Sequence, residues 1–221
     1  MKNNLTILTS KSNKYEGQID KIINQASFNV NKVYIEDNFS YDDSIIYSFS
    51  DVNKITKNII NYKFYLNYKD KRQIQIALSN KIFTPNILNK VETIAYLKEN
   101  KHEGVVRKVK KNELIELNNY YLEEVIEGKE YKYYFVFDSL FDNSNTIFDN
   151  DLLNIAKVIK ETLLLDVFSF DVIKKDNINY VIDVNVSPGF YKSDVARNHF
   201  ICYIERNFFW EVYILAKEKQ S

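Results

Sequence analysis

Three oxygen-bearing side chains stand where strand formers are expected. The stretch FSFDVIKKDNINYVIDVNVSPGFY (168–191) reads as two strand-like runs around a polar turn, with Asp171 in the first and Asp183 and Asn185 in the second. Asp and Asn are poor strand formers, so their presence needs a chemical reason. Side chains two apart on a strand share a face, which puts Asp183 and Asn185 together. With the turn centred near Asn177, Asp171 falls opposite Asp183, where facing Cβ atoms are about 4.5–5.5 Å apart. Three oxygen donors then converge on one patch. Hard cations such as Mg²⁺ bind through oxygen, commonly with one or two carboxylates plus nucleotide phosphates. A hairpin whose polar face is simply solvated is the alternative that spacing alone leaves open.

The elements that must position this patch follow from periodicity and punctuation. NLTILTS (4–10), VYIED (33–37) and SIIYSF (44–49) read as strands, and Tyr15 to Ala26 as a helix with Ile19, Ile22 and Ile23 on one face. Residues 52–79 read as one or two helices, completing a βαβ-like order that predicts a small parallel sheet with helical cover. Pro85 breaks the chain, and VETIAYLKEN (91–100) reads as a helix. Strands are expected at 104–111, 120–126, 130–141 and, briefly, 145–148. Asp149 or Asp151 caps a helix running to about Leu164, and a last amphipathic helix is expected from Asp194 to Lys217. A boundary falls near 80–85, dividing the chain into 1–80 and 81–221 without a flexible tether.

Composition removes several classes. Lys plus Arg and Asp plus Glu balance at 30 each, so no global field favours nucleic acid or an acidic membrane. No apolar run approaches the roughly 20 residues that span a bilayer, and the N-terminus reads as mature sequence rather than a signal peptide. The single cysteine, Cys202, excludes an internal disulfide framework and reads as a buried structural thiol in a reducing cytoplasm. No Ser-His-Asp or Cys-His arrangement, Gly-x-Ser-x-Gly elbow or zinc spacing is present. The 17 Tyr and 15 Phe lack an accompanying basic patch, so they read as core rather than base-stacking residues.

The order FDVI, a short turn and YVIDVNVSPGF resembles the C-terminal signature of the ATP-grasp superfamily. It is most similar to the glutamate ligases that modify ribosomal protein tails and to the inositol trisphosphate kinases. The resemblance covers roughly 80–221, strongest at 168–190, and implies an ATP-grasp fold: two α+β lobes over 81–221 preceded by a small N-terminal α/β domain over 1–80. It implies ATP and Mg²⁺ as cofactors, with the metal on Asp171, Asp183 and Asn185, and Ser187-Pro188-Gly189 beside the acceptor.

Upstream, VVRKVKK resembles the basic strand that reaches the nucleotide phosphates, through Arg107 and Lys108; Arg-Lys at such a strand is also seen in the cell-division-cycle and phage branch. By itself that run is equally a charge-protected edge strand. Glu123, Glu124, Val125 and Ile126 resemble the linker that reads adenine and ribose. Lys132 matches a cation on the following strand, and Lys81 matches the lysine that opens the first lobe. Arg197 falls where relatives place acceptor-binding groups; His199 beside it reads as structural. No glycine-rich phosphate loop lies between Lys98 and Tyr120, although Gly104 is near. The implied activity is carboxylate–amine ligation through an acylphosphate, onto a small-molecule or peptide acceptor. A small-molecule kinase, to which the Asp of DVN leans, and an ATP-binding assembly factor without turnover are the alternatives. No nucleic-acid or membrane partner is expected, and oligomeric state is left open.

Overall fold

The computed structural model describes residues 4–11, 15–37, 44–49, 55–101 and 104–209. The chain opens with β1 (Asn4–Thr9), α1 (Glu16–Gln25), β2 (Asn29–Tyr34) and β3 (Ser44–Ser48), and these strands form a parallel sheet in the order β2-β1-β3. β1 and β3 are buried along almost their whole length, as expected of a parallel strand covered on both sides. β2 begins four residues before the expected 33–37 and overlaps it only at its end. Two short helices follow, α2 (Tyr62–Asn67) and α3 (Lys71–Ser79), broken at residues 68–70. Asp70 caps α3 by accepting from the Gln73 amide at 2.8 Å. The start of the helical segment expected from residue 52 lies outside the described residues.

Next come β4 (Ile87–Leu88), β5 (Ile94–Glu99), β6 (Val106–Lys110) and β7 (Tyr120–Glu123), an antiparallel sheet in the order β4-β7-β5-β6. The helix expected over 91–100 is therefore a central strand. Ala95 and Leu97 point into a small core with Val109 and Leu122, while Tyr96 and Lys98 face the other way. That is an alternation of period two, which pairing on both sides of β5 rewards.

The third sheet has the order β11-β10-β8-β9, from β8 (Glu130–Val136), β9 (Ser139–Phe141), β10 (Val167–Lys175) and β11 (Ile178–Asn185). The run expected as one strand over 130–141 folds back on itself at Phe137, whose φ is 59°. Residues 145–148 contribute only one bridge, Phe141 to Thr146. Between β9 and β10, α4 (Asn150–Leu163) starts on the Asp149 cap, whose carboxylate accepts from the Asp151 and Leu152 amides. It buries Leu152, Ala156, Ile159 and Leu163, one helical face. α5 (Asp194–Ile204) runs into a π-helical turn at Glu205–Phe209. The remainder of the helix expected to reach Lys217 lies outside the described residues. Cys202 is exposed rather than buried, because the core side of α5 is taken by Ala196, Phe200, Ile201 and Ile204.

Two large cores sandwich the third sheet. Phe135, Phe168, Phe170 and Val172 face α4 and are joined by Phe64, Ile74 and Leu78 from α2 and α3. On the opposite face Tyr134, Val136 and Val167 pack with β1, α1, β3 and α5. That second face becomes polar towards the β10–β11 turn, and the candidate site lies there. No helix among the described residues is long and apolar enough to cross a membrane.

Candidate active site

β10 and β11 are joined by Asp176 and Asn177, both with positive φ (52° and 62°). Asp and Asn tolerate the left-handed region better than other L-residues, and two such residues make a hairpin turn whose twist suits the strands. The ladder runs regularly from Lys175↔Ile178 to Val172↔Val181, then shifts by one residue so that Asp171 faces Asp183 and Phe170 faces Val184. Ile182 is the extra residue of this bulge. Strict alternation would put Val181 on the same face as Asp183. The bulge instead lets Val181 and Val184 both enter the core while Asp183 and Asn185 share the polar face.

β10 also pairs with β8, with Asp171 opposite Lys132. One row across the sheet therefore reads Lys132, Asp171, Asp183, and the next reads Tyr134, Ser169, Asn185. Asp171 and Asp183 border a cleft of about 350 Å³ between the second and third sheets, lined among others by Lys71, Lys98, Glu123 and Ile126.

Three lysines meet three of the acids that line this cleft, Asp171, Asp183 and Glu123. Lys132 Nζ donates to both oxygens of Asp171, at 2.6 and 2.7 Å. Lys71, the first residue of α3, pairs with Asp183 and donates to the Val184 carbonyl at 2.9 Å. A cation in the first turn opposes the helix dipole, a cost that its partners across the cleft offset. Lys98 pairs with Glu123 and donates to the carbonyl of the bulged Ile182 at 3.0 Å, joining the two sheets. Asn185 Nδ2 donates to the second oxygen of Asp183 at 2.9 Å.

Burial pushes the Asp171 carboxyl above its ordinary value, with Lys132 opposing. Burial works the same way on Asp183, but Lys71, Lys98 and Lys132 more than cancel it and hold that group low. Glu123 is 1% exposed, and burial, only partly offset by Lys98, raises it to about 7. Its Oε2 is buried with no hydrogen-bond partner among the described residues.

The structure brings Asp171, Asp183, Asn185 and Lys132 together on one face of the sheet, the two aspartates lining the cleft. Glu123, Glu124 and Ile126 line it as well, and Val125 lies in the extended segment between them. Glu124 is engaged by the Asn86 side-chain amide at 2.7 Å. The basic strand divides by face. Lys108 is opposite Tyr96, a cleft residue, and its Nζ lies 5.6 Å from that ring; Arg107 is opposite Leu97 on the other face and pairs with Glu113.

Two further candidates stand apart. Lys81 donates to Thr162 Oγ1 at 3.0 Å, at a groove on the far side of the third sheet. Arg197 is 1% exposed and is held by Gln25, Gln18 and Asp194, which clamps α5 to α1. Reading the sequence missed Lys71 and Lys98. The signal for Lys98 was the alternation in IAYLKE, and for Lys71 a cation directly after the Asp70 cap.

The Ser187-Pro188-Gly189 turn is seated on tyrosines from the first part of the chain. Tyr47 donates to the Pro188 carbonyl at 2.9 Å, and the Tyr65 and Ser187 hydroxyls lie 2.9 Å apart. Gly189 lies so close to Tyr15 that a Cβ there would sit 2.7 Å from the ring.

No protein-family model matches the sequence, and no curated protein does. Solved structures do match. The chain superposes on the D-alanine–D-alanine ligase of Bacillus anthracis with a TM-score of 0.67 at 12% identity, over 99% of each chain. It matches the ATP-grasp ligase PsnB, in complex with a precursor variant, Mg and ADP, with a TM-score of 0.65 at 10% identity, over 91% of this chain and 96% of that one. A RimK-domain ATP-grasp protein from Sphaerobacter thermophilus gives 0.60 at 12% identity, over 90% and 99%. The chain has the ATP-grasp fold: two α+β units bordering a cleft, with a small parallel α/β sheet ahead of them.

The donor set fits a divalent hard cation. No group of three or more His, Cys, Asp or Glu among the described residues is placed to hold a metal; the donors are two facing carboxylates and one amide. Mg²⁺ needs no more from a protein when phosphate oxygens complete its shell.

Proposed function

We propose that this protein is an ATP- and Mg²⁺-dependent ligase that activates a carboxylate as an acylphosphate and passes the acyl group to an amine. The observation that carries this reading is the facing pair Asp171 and Asp183, with Asn185 on the same face, bordering a cleft lined by Lys71 and Lys98, with Lys132 bound to Asp171. Two carboxylates and one amide oxygen on one face, with three lysines beside them, suit a polyphosphate–metal complex. Two proteins of similar fold, D-alanine–D-alanine ligase and PsnB, are named as ligases. Their likeness at 12% and 10% identity carries only the fold, so the reaction rests on this chain's own residues.

Asp171, Asp183 and Asn185 would hold the metal, which supplies charge neutralisation at the phosphoryl group in flight. Lys71, Lys98 and Lys132 would turn from their carboxylates to phosphate oxygens and supply positive charge there, with Lys108 at the margin. The unpartnered Oε2 of Glu123, when ionised, accepts and does not donate, which suits the exocyclic amine of adenine. Glu124 and the backbone of Val125 and Ile126 would frame the rest of the nucleoside. The acceptor carboxylate attacks the γ-phosphorus and ADP leaves. The amine then attacks the acyl carbon, phosphate departs, and the amine loses a proton. Walls from two sheets shield the acylphosphate from water. Residues 1–80 would form the pre-grasp unit, whose tyrosines seat the Ser187–Gly189 turn beside a small-molecule or peptide acceptor. A cytoplasmic setting suits ATP and the one thiol.

Incubation of the protein with ATP, Mg²⁺ and a cell extract tests this reading. ADP formed together with a new amide or peptide is the expected result. ADP formed with a stable phosphorylated small molecule overturns the ligase in favour of a kinase, and ATP binding without consumption overturns both.

A further inference from the structure

The cation ligands of the cleft are already engaged by ammonium groups. Lys132 covers both oxygens of Asp171. Asp183 has one oxygen on Lys71 and the other on Asn185 Nδ2. The two lysines are nearly buried, with 10% and 11% side-chain exposure, so neither is a loose surface pair. A divalent ion arriving alone would have to displace both ammonium groups from the carboxylates they pair with, or accept two positive charges within a few ångströms. Unit charges at 4 Å repel by about 4 kcal/mol at an effective dielectric near 20. A polyphosphate changes this balance. It gives each ammonium group an anionic partner and simultaneously supplies further oxygens to the metal.

We infer that Lys71 and Lys132 determine what this site accepts: the complex of a divalent cation with a polyphosphate, and not the free cation. This rests on the nucleotide reading above. Metal and nucleotide are then positively coupled, and linkage requires each to tighten the other by the same factor. The lysines act as positioning residues here, setting the ligand that must enter together with the metal.

The test is a binding measurement that needs no turnover. Mn²⁺ replaces Mg²⁺, and its free concentration is followed by electron paramagnetic resonance in titrations of the intact protein with and without ADP, corrected for the Mn²⁺ that ADP itself binds. The expected result is a Mn²⁺ affinity at least about tenfold higher with ADP, and weak binding without it. Lys71→Met and Lys132→Met are expected to tighten Mn²⁺ alone and to shrink the coupling factor, whereas Lys132→Arg keeps both. Equal Mn²⁺ affinity with and without ADP, while ADP still binds, overturns the inference and leaves the nucleotide reading standing. Methionine variants that remain folded by circular dichroism yet bind Mn²⁺ no better than the natural protein also overturn it. Failure of ADP to bind with or without Mn²⁺ overturns the nucleotide reading itself.

Discussion

Lys98 reaches from β5 across the cleft to the backbone carbonyl of Ile182 on β11, 3.0 Å away, and pairs on the way with Glu123. The carbonyl is free for this bond because Ile182 is the bulged residue of β11. One side chain thus ties the two sheets that border the cleft and neutralises a buried carboxylate.

At pH 8, where the folded Glu123 is ionised, Lys98→Met should therefore leave it buried without its counter-charge. Removing one partner of a buried pair costs about 3–5 kcal/mol, so urea unfolding should show a loss of that order. The double variant Lys98→Met/Glu123→Gln should recover much of it. A single-variant loss within about 0.5 kcal/mol, the range of ordinary surface substitutions, would contradict the pairing.

Glu123 also sets a pH dependence. Burial raises its pKa from 4.5 to about 7, so the folded protein retains a proton that the unfolded chain releases. Its contribution to stability is complete below about 4.5 and is lost as pH climbs through 7, an effect of roughly 3 kcal/mol at about 1.4 kcal/mol per pKa unit. Asp183 has the opposite sign. Burial raises it, but its three lysines hold it low, so its contribution is lost only as pH falls through its folded value. Unfolding midpoints measured from pH 4.5 to 8 should decline for the natural protein and flatten for Glu123→Gln. Parallel curves would show that Glu123 is not the titrating group.

Arg197 offers a control for position. It clamps α5 to α1 through Gln25 at 2.9 Å and Gln18 at 3.4 Å, is held within α5 by Asp194 at 2.7 Å, and is absent from the cleft lining. Arg197→Met should lower stability by about 3 kcal/mol through the lost hydrogen bonds and the amides left unpaired, while the affinity for ADP stays within twofold. A large drop in ADP affinity with intact stability would move Arg197 into the site.

Gly189→Ala tests the seat of the Ser-Pro-Gly turn. The new Cβ would meet Tyr15 Cδ1 at 2.7 Å and Cε1 at 3.0 Å, an overpacking that costs about 1–3 kcal/mol. Tyr15→Ala in the same chain should relieve it. If Gly189→Ala alone is neutral by thermal unfolding, the turn does not rest on that ring.

The polar face of the hairpin was legible because it depends on local quantities: residue type, a period of two and a turn of known sequence preference. The facing of Asp171 and Asp183 follows from a turn centred at Asn177 only because the bulge at Ile182 adds one residue to a turn centred between Asp176 and Asn177. β5 was hidden for a different reason. VETIAYLKEN has good helix formers, and its alternation is confined to six residues, so neighbouring strands rather than propensity decide its state. Lys98 was lost with it. Arg107 and Lys108 could be placed on opposite faces from the sequence, but which face meets the cleft depends on pairing with Leu97 and Tyr96. Arg197 and Lys81 have plausible chemistry, yet tertiary packing turns the first towards α1 and the second towards Thr162.

The central claim is that Asp171, Asp183 and Asn185 hold the cation of a bound nucleotide. Its most direct measurement is calorimetric titration of ADP into the protein with Mg²⁺ and with EDTA, for the natural chain and for Asp183→Ala and Asn185→Ala. The account predicts that Mg²⁺ strengthens ADP binding at least about tenfold in the natural chain, equivalent to ~1.4 kcal/mol, and that either substitution removes most of that gain. An undiminished gain from Mg²⁺ in both variants would contradict it.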